Sequence, residues 1–337
     1  MSQETVARTP SSSPPDVLVQ VQGVKKYFRS KGGPMFSKQY IKAVDDVSFD
    51  ILRGETFGLV GESGCGKSTL GRSIIALYPL SGGKVVFEGQ DIEALKPREL
   101  KTFRQKMQFI FQDPSASLNP RVNIGNILME PFRIHNVGSR EERQEKIKFL
   151  LERVGLSAYH LSRYPHELSG GQKQRVGVAR ALALNPQLIV CDEAVSALDV
   201  SIQAQVINLL EDLQQEFSLT YLFISHNLSV IHHISDRIGV MYLGKMVEIG
   251  NHEDIYERTL HPYAKALISA IPHTEAAGRQ ERILLKGDVP SPVNPPSGCR
   301  FHTRCSEAME RCSQEEPCLR PIDEGHCVAC HLYAQPH

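Results

Sequence analysis

Residues Gly61 to Thr69 read GESGCGKST, with the spacing glycine, four residues, glycine, lysine, serine. That spacing builds a phosphate cradle. Glycines let successive backbone N–H groups turn inward as a nest for an anion, and the helix that follows adds its positive end. In such a loop Lys67 reaches the β- and γ-phosphates as a point charge, and the Ser68 hydroxyl is placed to ligate Mg²⁺. The expected ligand is ATP or GTP. Its phosphates would lie on Gly61, Glu62, Ser63 and Gly64 and then on Cys65, Gly66, Lys67, Ser68 and Thr69.

Asp192 and Glu193 close the apolar run LIVC, so both carboxylates are expected at the end of a buried strand. Phosphoryl transfer needs electrostatic clamping and a positioned water, with little covalent work from the protein. Asp192 fits the carboxylate on the Mg²⁺ side, and Glu193 the general base that polarises the attacking water. Adjacent acids are common on surfaces; four apolar residues ahead of this pair set it apart. His226, ending TYLFISH, is expected to donate a hydrogen bond to the γ-phosphate. Gln112, near the end of KMQFIFQD, is expected to bind Mg²⁺ or the lytic water. LSGGQKQR (168–175) sets a serine and two glycines at a predicted helix start, a second anion-binding end. Two such ends beside one acidic pair suggest that the second serves a neighbouring subunit.

These residues need a scaffold that gathers distant segments. VLVQVQGV (17–24) alternates as a half-buried strand does, and a second strand is expected near 43–52. ETFGLVG is a buried strand entering the phosphate loop, and TLGRSIIALY continues from it as a helix. KVVFEGQDI (84–92) and KMQFIFQD (106–113) read as strands separated by a short helix from Pro97. Residues 114–168 carry apolar positions at helical spacing and form a helical insertion. GQKQRVGVARALAL reads as a helix stopped by Asn185-Pro186, followed by the strand QLIVCDE (187–193). SIQAQVINLLEDLQQEF is an amphipathic helix, TYLFISH (220–226) a buried strand and RIGVMYLGKMVEIG a hairpin. Alternating strands and helices imply an α/β fold with a parallel sheet and ligands at the carboxyl ends of its strands. Three buried strands end in the phosphate loop, in Asp192-Glu193 and in His226, so one site is built from three segments. Tyr27 or Phe28, after the first strand, would either stack on an adenine or cap the sheet.

The chain has 337 residues, enough for one large or two moderate domains. Its formal net charge of +0 gives no support to a whole-protein attraction to nucleic acid or anionic membrane. Residues 1–16 are polar, include SSSPP and are expected to be disordered rather than a signal peptide. No apolar run approaches the roughly 20 residues of a spanning helix, so a cytoplasmic protein is expected. Six of the 8 cysteines lie from Cys299 onward. In a reducing compartment that clustering favours a metal or iron–sulfur site over disulfides.

In combination these motifs resemble the ATP-binding subunits of ABC transporters. LSGGQ (168–172) matches that family's signature, Gln112 its Q-loop, SALD (Ser196–Asp199) its D-loop and His226 its H-loop. The resemblance runs from about Val17 to Ile249. It implies a P-loop NTPase of ABC type over 17–259, with an antiparallel β-subdomain and a helical subdomain at about 114–175. A small Cys-rich C-terminal extension would occupy 260–337. It implies ATP hydrolysis in a head-to-tail dimer, each ATP sandwiched between the P-loop of one subunit and LSGGQ of the other. By matching position Phe28 is the adenine-stacking aromatic ahead of Tyr27, and Ser169, Gly170, Gly171 and Gln172 serve the partner's nucleotide. The helical insertion would grip a membrane permease. Two positions depart from the family: Ala194 stands where proline usually follows the catalytic glutamate, and Asn227 where aspartate often follows the H-loop histidine. Neither removes a group that does chemistry.

The tail, from HPYAKALISAIP (261–272) through GDVPSPVNPPSGCRFHTRC (287–305), is proline-rich and irregular. It resembles the C-terminal region of ATP-binding subunits of dipeptide and oligopeptide importers; nickel and glutathione importer subunits are of the same type. That resemblance implies peptide uptake driven from the cytoplasmic face of the membrane. The implied partners are a related second ATPase subunit, two permease subunits and an extracytoplasmic solute-binding protein, with no nucleic acid. In the related subunits the cysteine pattern matched by Cys299, Cys305, Cys312 and Cys330 ligates a [4Fe–4S] cluster, which four thiolates suit. A zinc site that includes the CxxC of Cys327 and Cys330, or no metal at all, stays open. A soluble ABC ATPase acting on DNA or ribosomes is the alternative from another class; the chain has no basic tail, long heptad run or second cassette to support it.

Overall fold

A computed structural model describes residues 16–30, 39–271 and 282–334. The stretch expected to be disordered lies, apart from Asp16, outside them. The chain opens on β1 (Val17–Arg29) and β2 (Tyr40–Leu52), which pair antiparallel along their length. β3 (Thr56–Val60) leads into the phosphate loop and α1 (Lys67–Ile74) leaves it. β4 (Gly82–Phe87) and β5 (Gln90–Asp91) then complete a first sheet in the order β2-β1-β4-β5. The strand expected over 84–92 is thus two strands, because Glu88 and Gly89 turn at positive φ (49° and 76°).

α2 (Pro97–Lys106) and β6 (Met107–Ile110) precede the helical insertion of α3 (Pro114–Ser117), α4 (Ile124–His135), α5 (Arg140–Arg153) and α6 (Gly170–Leu182). Capping sets these boundaries: Ser139 accepts from Glu142 N at 3.2 Å while Glu142 accepts from Ser139 N at 2.6 Å at the start of α5. β7 (Leu188–Asp192), α7 (Val200–Phe217), β8 (Thr220–Ile224) and α8 (Leu228–Ile234) follow. The hairpin β9 (Arg237–Tyr242) and β10 (Lys245–Asn251) leads to α9 (His252–Glu257) and α10 (Pro262–Ser269). The tail adds α11 (Glu310–Gln314), β11 (Arg320–Asp323) and β12 (His326–Val328).

Among the described residues the second sheet runs β11-β12-β10-β9-β3-β8-β7-β6, parallel from β9 through β6. Every residue of β3, β7 and β8 is buried, which is why these strands read as unbroken apolar runs. α1 lies between the two sheets: Leu70 and Ile74 share one core with Val19, Val85, Val190 and Ile224. A second core joins the insertion to the sheet through Ile127, Leu150, Val176 and Leu210.

The tail, irregular by sequence, is an edge of the main sheet. β12 pairs antiparallel with β10, Glu248 opposite Val328 and Ile249 opposite Cys327. Phe301 is buried with its ring 5.2 Å from Tyr242 and 5.4 Å from Tyr263. Among the described residues no helix is long and apolar enough to cross a membrane.

Candidate functional site

β3 delivers the chain to Gly61, and the loop closes tightly before α1. Gly66 has φ 108°, and a Cβ there would lie 2.0 Å from the Ala43 carbonyl oxygen, so no other residue fits. Lys67 is buried and folds back across the loop, donating to the carbonyls of Gly61 (2.7 Å) and Glu62 (3.0 Å). Cys65 is also buried, and burial raises its thiol pKa. Ser68 Oγ donates to Asp192 Oδ1 at 2.6 Å. Arg72, one turn further along α1, reaches the other oxygen of Asp192 at 3.2 Å. Burial pushes the Asp192 carboxyl up, and the Ser68 hydroxyl and the Arg72 guanidinium oppose it.

Glu193 follows at φ 48°, a left-handed backbone that a non-glycine residue adopts at some cost. Its N–H donates to Ile224 O at 2.9 Å, which ties the turn to the end of β8. Its carboxylate is held from both sides. Gln112 Nε2 donates to Oε2 at 2.6 Å, and His226 Nδ1 lies 3.1 Å from Oε1. The ends of β6, β7 and β8 therefore meet on one carboxylate beside the phosphate loop. The sequence reading puts Gln112 on Mg²⁺ or water and His226 on a phosphate; in the structure both contact Glu193.

Tyr27 and Phe28 separate. Tyr27 donates its hydroxyl to Asp45 within the first sheet. Phe28 packs edge-on to Tyr78 with centroids 5.5 Å apart, and the Lys26 ammonium sits 5.0 Å from its ring centre. The LSGGQ segment forms the start of α6: Ser169 Oγ accepts from Gln172 N at 3.3 Å, and Gln172 Oε1 accepts from Ser169 N at 3.0 Å. Ser169 and Gly170 are exposed, and a Cβ on Gly171 would come 2.6 Å from Ile202. Among the described residues no hydrogen bond or ion pair joins Ser169–Gln172 to the phosphate loop.

Three residues of this site carry no sequence signal. Arg72 sits on Asp192; Tyr263 accepts from Glu62 N at 2.7 Å; Arg304 pairs with the Glu62 carboxylate. The cysteines of the tail sort into two groups. Cys299, Cys305, Cys312 and Cys330 all lie within electrostatic reach of one another. Burial first, and then the charges of the other three, push the Cys299 thiol up to about 11. Cys318 is exposed, and Cys327 feels Arg237 instead. Among the described residues no group of three or more His, Cys, Asp or Glu side chains is arranged to hold a metal ion.

Residues 44–196 match the family model of ABC transporters, and residues 247–312 that of the oligopeptide/dipeptide transporter C-terminal region. The oligopeptide transport ATP-binding protein AppF of Bacillus subtilis (strain 168) is 55% identical over 324 residues, spanning 95% of this chain and 98% of that one. A putative peptide import ATP-binding protein of Brucella ovis is 52% identical over 313 residues, spanning 93% and 97%. Among solved structures, the dimeric ATP-binding cassette MJ0796, in a post-hydrolysis state with ADP and Pi, superposes with a TM-score of 0.63 at 28% identity. It covers 70% of this chain and 99% of its own. The chain is an ABC-type ATPase and belongs to the ABC transporter family, with the C-terminal region found in that family's oligopeptide and dipeptide transporters.

Proposed function

We propose that this chain hydrolyses ATP on the cytoplasmic face of a membrane to drive the import of dipeptides or oligopeptides through a permease. The observation that carries it is the Gln112–Glu193–His226 array beside the phosphate loop. Peptide transport is what the names of AppF and the Brucella ovis protein state of those relatives.

In this reading the loop N–H groups receive the phosphates, and Lys67 exchanges the carbonyls of Gly61 and Glu62 for phosphate oxygens. Ser68, Asp192 and Gln112 would hold Mg²⁺, which would supply charge neutralisation at the phosphates; the short Ser68–Asp192 bond supports this reading. Glu193 takes the proton of the attacking water, and Gln112 and His226 fix the carboxylate that does so. Phe28 serves the adenine ring, since the Tyr27 hydroxyl is committed to Asp45. Ser169–Gln172, unattached to this chain's own loop, is left for the nucleotide of a second cassette, and the dimeric MJ0796 shows that this fold pairs. The partner cassette is a related subunit in this reading, and two permease subunits and an external solute-binding protein complete the assembly. A strain lacking the chain is expected to lose uptake of labelled peptides and to regain it with the wild-type gene, but not with Lys67→Ala. Intact peptide uptake with lost nickel or glutathione uptake would move the cargo to that solute.

Cys299, Cys305, Cys312 and Cys330, which match the cysteine pattern of the related subunits, would hold a [4Fe–4S] cluster, a group that Cys₄ sets bind. Its contribution here would be to fasten the tail, because phosphoryl transfer needs no electrons. Anaerobically purified protein is then expected to be brown, with about four irons per chain that Cys312→Ser loses. Stoichiometric zinc in a colourless protein would overturn this.

A further inference from the structure

Glu62 is the only acidic residue in GESGCGKST, the loop that must receive a polyphosphate. An uncompensated carboxylate there would repel its ligand. Arg304, 242 positions on, meets it fork to fork: Nη1 lies 2.8 Å from Oε2 and Nη2 3.1 Å from Oε1. The Arg304 side chain is only 7% exposed and that of Glu62 26%, so water does little to screen the pair. Tyr242 OH, 3.5 Å away, is the remaining partner of Arg304 Nη1, and its buried Nε has none.

The extension grips the loop's surroundings elsewhere too. Arg300 donates to the Leu243 carbonyl and to the Asp45 carboxylate, and its side chain is 6% exposed. Asp45 is two residues from Ala43, whose carbonyl Gly66 packs against. Gly244, next to Leu243, donates its N–H to Cys65 O at 2.8 Å. Arg300 follows Cys299 and Arg304 precedes Cys305, so both clasps lie in the short segment between two cysteines.

We propose that Arg304 is a positioning residue through which the C-terminal extension sets the nucleotide affinity of the phosphate loop, by neutralising and orienting Glu62. This rests on the loop's binding ATP, and on neither the peptide reading nor the cluster.

Titration calorimetry with MgATP and MgADP on the full chain tests it. Arg304→Gln is expected to weaken MgATP binding on the order of tenfold, the size expected of one unbalanced charge close to a polyphosphate. The loss should be smaller for MgADP, which carries less charge, and should shrink as salt is raised. Arg304→Lys should keep most of the affinity, and adding Glu62→Gln to Arg304→Gln should recover it, which a purely structural arginine would not allow. Glu62→Gln alone leaves the arginine's charge free beside the loop and should tighten MgATP, a result that stands even if Arg304→Gln fails to fold. Wild-type affinity in Arg304→Gln, no recovery in the double variant, or no tightening in Glu62→Gln would each overturn the proposal. A wild-type chain that binds no MgATP would overturn the ATP site beneath it as well.

Discussion

Glu248→Ala is expected to cost about 3–5 kcal/mol of stability, the range for removing one partner of a buried charged network. Glu248 is fully buried in β10. Its two oxygens accept from Leu260 N and His261 N, each at 2.8 Å, and from Thr259 Oγ1 at 3.2 Å, while His326 Nε2 lies 2.8 Å away. One carboxylate thus fastens both the turn into α10 and the strand β12 that carries the tail. Alanine would leave the Leu260 and His261 N–H groups without their acceptor, and the buried His326 imidazole with only the Asp254 carboxylate, 3.9 Å from its Nδ1. The neighbouring His261 is held neutral, burial pushing its pKa down to about 3, so its Nδ1 accepts from Tyr263 N at 3.1 Å. Tyr263 in turn holds Glu62 N, so the damage should spread to the phosphate loop. Urea denaturation of wild type and variant measures the loss; a change under about 1 kcal/mol, the size of a surface substitution, would show that this network does not fasten the tail.

The parts of the site that were legible in the sequence are those written as short local spacings. The glycine pattern of the phosphate loop, and carboxylates or a histidine closing apolar runs, mark strand ends without any knowledge of the rest of the chain. Gln112, Asp192, Glu193 and His226 do lie at the ends of β6, β7 and β8. What stayed hidden are pairings across long separations, which leave no periodicity. Arg72 meets Asp192 across 120 positions, Arg304 meets Glu62 across 242, and β12 is three residues long. The choice between Tyr27 and Phe28 could not be read from alternation, because the pairing of β1 with β2 shifts register between Lys26 and Tyr27. In the tail the cysteines form the conspicuous sequence pattern, while Arg300 and Arg304 between them make the contacts to the phosphate loop and its surroundings.

Glu193 is the centre of the proposed chemistry. A glutamine there keeps the size of the side chain and its hydrogen-bonding reach toward Gln112 and His226, but cannot take a proton from water. General-base catalysis contributes about 10²–10⁴-fold, so turnover should fall by that factor. Binding should survive, because Lys67, Ser68 and Asp192 are untouched and the Glu193 side chain holds none of the loop. The left-handed backbone at Glu193 is the one structural risk, and glutamine bears it as glutamate does. Phosphate release and MgATP binding measured side by side on wild type and Glu193→Gln is therefore the most direct test. The expected result is near-wild-type binding with hydrolysis reduced at least on the order of a hundredfold; hydrolysis at the wild-type rate would contradict the account.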